Sequence, residues 1–245
     1  MLTRVTINKY VNGTYKLVNK EITYKSYKKK LKNYWKTNDE KLVNNIIRAR
    51  SKILDYCLCN KFEFFVTITI NPKYDRCNLD WLRRKTSQII REMRVKYGGE
   101  FKYILIPEQH KDGAWHMHGL FDKDFGQDFY MNEHGYLDWS SYDCIGYSSI
   151  SIIRDYLATI RYITKYVRKD FSKREKYKHL YFCSHNLISS NKILDVVIRN
   201  DNLVYDFVNE YCKVLNFDES DFNYVIDELN RVVYTVLEDK ECLIC

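Results

Sequence analysis

The sequence predicts an α+β fold, a central antiparallel sheet with flanking helices, followed by a C-terminal helical extension. Three observations predict it. Runs rich in β-branched and aromatic residues lie at 62–70, 103–110 and 115–121. The last two are joined by a loop short enough for a hairpin. Helical periodicity appears at 79–97 and again at 154–169, so helices and strands do not alternate as a parallel sheet would require.

The elements follow in order. Val5–Val11 and Tyr15–Val18 flank Asn12–Gly13, a two-residue hairpin signal. A helix begins at Asn38, with Asp39 and Glu40 in its first turn and Leu42, Ile46, Ala49 and Ile53 along one side. Phe62–Ile70 alternates as a strand, and Asn71–Pro72 ends it. Leu79–Tyr97 reads as a helix closed by Gly98–Gly99. Tyr103–His110 and Trp115–Phe121 are strands, and Ile150–Ile153 is a weaker one. Arg154–Lys169 is a helix with Tyr156, Ile160, Ile163 and Val167 on one face. The tail, 202–238, reads as two helices. Leu203, Phe207 and Tyr211 mark the first, and Phe222, Val225, Ile226, Leu229 and Val233 mark the second.

The chain has 245 residues, 45% hydrophobic and 29% charged, which supports a real core and one or two domains. Eight Gly and two Pro exclude collagen-like and Pro-rich disordered classes. No run approaches the ~20 apolar residues of a membrane span, and the first ten residues lack the apolar core of a secretory signal. A cytoplasmic location in a bacterial host is therefore expected, where the eight Cys stay reduced.

Net charge is +8, unevenly spread. Residues 1–60 carry 14 basic and 4 acidic side chains, whereas residues 200–245 carry 3 and 11. This asymmetry hints at nucleic-acid contact. It suggests a basic N-terminal extension (1–60), a catalytic domain (61–185) and an acidic helical C-terminal region (186–245). Within the first stretch, Lys28, Lys29, Lys30 and Lys32 are interleaved with aromatics that include Tyr34 and Trp35. Cations beside aromatic faces suit a nucleic-acid backbone and its unstacked bases.

The most informative stretch is Trp115–His116–Met117–His118–Gly119–Leu120. On a strand His116 and His118 share one face. A hairpin loop of 111–114, with Trp115 at the turn, would pair His110 with His116 and Glu108 with His118. All four would then form one polar cluster. A carboxylate with two imidazoles suits Mg²⁺ or Mn²⁺ with positions open for a phosphate, and also fits zinc. On the later helix, Tyr162 and Tyr166 lie four apart on one face, each followed three residues on by a lysine, Lys165 and Lys169. Tyrosine is a competent nucleophile when its oxyanion is favoured. In a chain with 22 Tyr such a pair gains weight only beside the histidine strand.

These pieces together resemble the His-hydrophobe-His (HUH) endonucleases that initiate rolling-circle replication. The resemblance covers 61–170: the strand Phe65–Thr69, the strand His116–Met117–His118 with Glu108 upstream, and the helix with Tyr162–Lys165 and Tyr166–Lys169. It implies an RRM-like palm and a divalent ion, Mg²⁺ or Mn²⁺, held by Glu108, His116 and His118, with His110 close by. It also implies a tyrosine nick of single-stranded origin DNA that leaves a 5′-phosphotyrosyl bond and a free 3′-OH. Thr67 and Thr69 would shape the floor of the site. The paired tyrosines resemble the two-tyrosine branch of phages and plasmids, and host polymerase and helicase are the partners implied. The tail lies outside the resemblance, and there is no Gly-x-x-x-x-Gly-Lys-Ser/Thr loop for a fused helicase.

Other readings stand beside it. Transposases or relaxases of the same superfamily are close, although a tyrosine pair favours replication. Barrel-type zinc hydrolases also use His-x-His, but their many βα units need more turns than eight Gly and two Pro supply. A DNA-binding module with structural zinc would use Cys242 and Cys245, which have no second pair at suitable spacing.

Overall fold

The computed structural model describes residues 2–11, 15–22, 38–98, 100–124, 128–167, 179–199, 201–214, 222–227 and 232–237. The chain forms two compact units. One spans Asp39–Ile188, and the other joins Met1–Asn38 to Ser189–Cys245. Where charge marks a head, a middle and a tail, backbone contacts bring head and tail into one sheet.

In the Asp39–Ile188 unit, α1 (Asn38–Cys59) leads into β3 (Phe64–Ile70), α2 (Leu79–Tyr97), β4 (Tyr103–Gln109) and β5 (Trp115–Phe121). Then come β6 (Phe129–Met131), β7 (Leu137–Trp139), β8 (Gly146–Ile152), α3 (Tyr156–Tyr166) and β9 (Phe182–Cys183). The seven strands form an antiparallel sheet in the order β6-β7-β8-β3-β5-β4-β9. The fold is α+β, a palm of the expected kind. Strands β6, β7 and β9 are too short to show as periodic runs in the sequence.

Strand parity divides the labour between the two sheet faces. Val66, Ile68, Ile70, Leu105, Met117 and Phe121 pack on Leu82, Ile89, Ile90 and Met93 of α2. Burying each such side chain contributes about 1.5–3 kcal/mol. Asn78 caps α2 by accepting the Trp81 amide at 2.9 Å, and Gly98 ends the helix at φ +67, a conformation that favours glycine. The opposite face carries Thr67, Thr69, His116 and His118, and α3 lies over it. Asp155 caps α3 through the Ala158 amide, and the Tyr156 hydroxyl reaches the carbonyls of Cys57 and Asn60 at the end of α1.

A buried carboxylate ties α2 to the β6–β7 side. Asp128 accepts from Trp139 Nε1 at 2.9 Å, Tyr97 Oη at 3.1 Å and Ser140 Oγ at 3.1 Å. Burial pushes its pKa up, but hydrogen bonds from Ser141, Ser140, Tyr97 and Trp139 outweigh that and hold it below the usual carboxylate value.

The other unit is a five-stranded sheet in the order β10-β1-β2-β12-β11. Its strands are β1 (Leu2–Lys9), β2 (Tyr15–Ile22), β10 (Asn191–Ile198), β11 (Phe222–Asp227) and β12 (Val232–Leu237), with α4 (Asp201–Val214) beside them. Val5, Ile7, Tyr15 and Leu17 pack against Val208 of α4. The β1–β2 hairpin forms as expected, and Asn12–Gly13 lies outside the described residues.

The second expected tail helix is instead the β11–β12 hairpin. Its apolar spacing is compatible with a helix. Yet Val232, Val233, Thr235 and Val236 are β-branched, and pairing with β2 satisfies a strand edge that would otherwise be open. The C-terminal extension is therefore mixed.

Candidate active site

The β4–β5 register differs from the expected one. Glu108 lies opposite His116 and Ile106 opposite His118, and Trp115 belongs to the strand, opposite Gln109. The cause is a tighter loop. The His110 amide donates to the Ala114 carbonyl at 2.8 Å, and the Gly113 amide donates to the His110 carbonyl at 2.9 Å. Only Lys111, Asp112 and Gly113 remain in the turn, with Gly113 at φ +90, the left-handed position of a three-residue hairpin loop. The slip is two residues in the pairing sum, so parity survives and the same side chains share the face.

Two rows now cross the sheet. One reads Glu108, His116, Thr69, Tyr147, and the next reads Ile106, His118, Thr67, Ser149. Thr69 Oγ1 lies 2.9 Å from His116 Nδ1, and Thr67 Oγ1 lies 3.2 Å from His118 Nδ1. Each imidazole is thus oriented by a threonine of β3, leaving Nε2 as its ligating nitrogen. Glu108 Oε2 reaches diagonally to His118 Nε2 at 2.8 Å. Both groups are buried, at 7% and 8% exposure.

His110 stacks on His116 with ring centroids 3.7 Å apart and 13° between planes, so it offers a ring face to its neighbour. Burial first, then the proximity of His110 and His118, pulls the His116 pKa down to about 4. His116 is therefore neutral near pH 7, the form that binds metal.

The helix supplies the tyrosines. Tyr166 stacks on His118 at 3.8 Å and 15°, and Tyr162 meets Tyr166 edge-on at 5.1 Å. Phe65 of β3 packs beside both His118 and Tyr162. The two tyrosines are not equivalent. Tyr166 is 6% exposed, whereas Tyr162 is 48% exposed. Burial, then hydrogen bonding and charge from Tyr162, then Glu108, raises the Tyr166 pKa well above that of an ordinary phenol. Lys165 is exposed on the same helix. Lys169, and Lys28, Lys29, Lys30, Lys32, Tyr34 and Trp35, lie outside the described residues.

Among the described residues, no three His, Cys, Asp or Glu side chains already stand as a metal cluster. Glu108 and His118 instead bond each other. The donor set nevertheless suits a divalent cation, because it offers a carboxylate and two imidazoles whose other nitrogens are anchored.

Tyr147 has no signal in the sequence pattern. It is 60% exposed at the end of the Glu108 row, and Asn71 donates to its hydroxyl at 3.4 Å. Serines on β8 mask the alternation that would have marked it.

No curated protein and no solved structure matches the chain. Residues 63–171, which run from before β3 to beyond α3 and carry every histidine, glutamate and tyrosine of this face, match the model of a family of replication-associated proteins, the ORF2 type, and that match supports a replication initiator.

Proposed function

We propose that the chain nicks single-stranded DNA at a replication origin by tyrosine attack and later rejoins it. One observation carries the reading: a half-exposed tyrosine, Tyr162, sits in a ring cluster that includes His118, whose imidazole is bonded to Glu108 and backed by Thr67. Glu108, His116 and His118 would hold Mg²⁺ or Mn²⁺. When bound, that ion supplies Lewis-acid polarisation of a phosphate.

The chain's own residues do the rest. Tyr162 Oη attacks phosphorus, and the bond to the 3′ oxygen breaks. The phenolic proton is lost and the leaving oxygen takes one up. The products are a 5′-phosphotyrosyl enzyme and a 3′-OH that a host polymerase can extend, with a helicase opening the strand ahead. The covalent bond keeps the phosphodiester energy, so rejoining needs no ATP. Tyr162 acts first because it is accessible and Tyr166 is buried with a raised pKa. Tyr166 is available for a second transfer once α3 shifts. Lys165 and Lys169 would neutralise charge on the phosphate. Tyr147 offers a base-stacking ring in line with the site.

The test uses single-stranded DNA from the origin region with Mn²⁺ and a denaturing gel. The wild type is expected to give a covalent adduct, Tyr162→Phe to lose the first adduct, and Tyr162→Phe with Tyr166→Phe to lose all of it. A full adduct from the double variant overturns the tyrosine assignment. Cleavage that runs equally well in chelator overturns the metal role.

A further inference from the structure

The β9 edge of the sheet carries a second feature that the tyrosine chemistry does not use. Strand β9 adds only two residues to β4, pairing Cys183 with Ile104 and Phe182 with Leu105. Those positions are about 10 Å along β4 from Glu108, at 3.3 Å per residue. Leu105 packs on α2, so Phe182 faces α2 and Cys183 faces the opposite side. An open groove of about 820 Å³ wraps this edge between α1 and α2.

Its cations come from two helices. Arg48 and Lys52 are one turn apart on α1, and Arg83 faces them from α2. No acidic side chain lines it. The groove continues along α2 past Arg84 and Arg91, sharing Arg83 and Ser87 with the first stretch, and Glu92 is the acid there. Arg83, Arg84, Ser87, Gln88 and Arg91 lie on the face opposite the buried Leu82, Ile89, Ile90 and Met93.

Lys52 is paired with Asp55 at 2.8 Å. Among the described residues, Arg48, Arg83, Arg84 and Arg91 have no ion-pair partner. Aromatic rings are set among them. The Arg83 guanidinium lies 5.9 Å from the Phe182 ring centroid, His179 packs beside the same ring, and Tyr181 joins the wall.

A compact anion would need one or two of these cations converging on a point. Here they are strung out, with about 12 Å of helix between Arg83 and Arg91 at 1.5 Å per residue. A ligand that satisfies them all is a chain of regularly spaced phosphates whose neighbouring groups can lie on rings and guanidinium planes. We propose that the β9-edge groove is a second DNA site, separate from the histidine–tyrosine face, that grips the sugar–phosphate backbone of DNA flanking the nick. This rests on the reading of the chain as an origin-nicking protein. The same backbone chemistry could come from single-stranded DNA or from a duplex arm, and the test has an arm for each.

The full-length chain is titrated with two fluorescent probes, a 20-nucleotide single strand and a hairpin duplex, over a range of salt. The variant is Arg83→Ala, Arg84→Ala and Arg91→Ala together. These are outward-facing helix positions where alanine keeps α2 folded, and a thermal melt checks this. The control, Lys20→Ala, Lys61→Ala and Lys123→Ala, removes the same charge elsewhere. The arginine variant is expected to bind at least one probe tenfold or more weakly. Its log–log salt slope should be shallower by about 0.7 for each single-strand phosphate it no longer neutralises, or about 0.9 for duplex.

A loss on the single strand alone, on the hairpin alone, or on both supports the site and identifies its ligand. Losses no larger than the control's on both probes overturn it. Failure of the nicking reading shows separately, as absence of a wild-type adduct, and leaves these binding curves unchanged.

Discussion

The two units are both antiparallel sheets with a packed helix, yet they treat charge in opposite ways. The unit of Met1–Asn38 and Ser189–Cys245 holds 15 basic and 13 acidic residues, net +2. The Asp39–Ile188 unit holds 25 and 19, net +6. The basic head and acidic tail that dominate the linear sequence therefore largely cancel within one sheet. Arg4 of β1 grips Asp195 of β10 with two bonds of 2.6 Å, and Lys192 adds a third at 2.9 Å. In the other unit the ion-pair-free arginines line one groove, and a buried acid–imidazole pair sits beside a tyrosine. Charge along a chain is a poor guide to charge in space when distant strands pair.

This contrast can be probed by substitution, beginning with the largest effect. Tyr162→Phe removes the attacking oxygen and should lower single-strand nicking by at least about 10³-fold, as loss of a covalent nucleophile does, with melting unchanged. An unaffected rate would place function elsewhere than on this face.

Thr67→Val with Thr69→Val removes the hydroxyls that orient both imidazoles and keeps the side-chain volume. Metal affinity, followed by calorimetry with Mn²⁺, and nicking should each fall about 10–100-fold.

Gly146→Ala tests the sheet itself. A methyl there would run into the Thr69 carbonyl and crowd Tyr142, so β3 and β8 must part. A loss above about 3 kcal/mol is expected, read as a large drop in Tm of the Asp39–Ile188 unit.

The smallest effect belongs to the other sheet. Arg4 lies beside Asp195, and Lys192 beside it too, holding the Asp195 carboxyl well below the usual value. A depressed carboxyl pKa stabilises above the unfolded value near 3.9 and loses that contribution as pH falls through the folded one. Asp195→Asn should therefore cost about 1 kcal/mol or less at pH 7 and nothing at the lowest pH, because the pair is partly solvated. Comparing urea midpoints at the two pH values checks it.

How much of this is legible in the sequence depends on the length of the pattern. The helices 79–97 and 156–166 and the strands around His116 and Val66 carry long, clear periods and caps, and the structure has them. Strands β6 and β9, three and two residues long, are too short to carry a period. The 222–237 hairpin reads as a helix because Phe222, Val225, Ile226, Leu229 and Val233 also satisfy a helical spacing. Only the distant partner β2 decides between the two. Glu108, His116 and His118 are legible as one face because parity depends on local sequence. Their register is not, because it depends on which residue of 110–114 takes the left-handed turn. Tyr147 and the β9 groove arise from strand order and helix placement, which no local window contains.

The pairing of β1 with β10 also sets an order of assembly. Arg4 and Asp195 are 191 positions apart. During synthesis at about 5–20 residues per second, β1 waits for roughly ten to forty seconds before its partner exists. Everything needed for the histidine–tyrosine face is made within that interval. The nascent chain can therefore complete its chemical centre while the β1–β2 hairpin still has open edges, which makes those edges the point where a chaperone or a neighbouring nascent chain would act first.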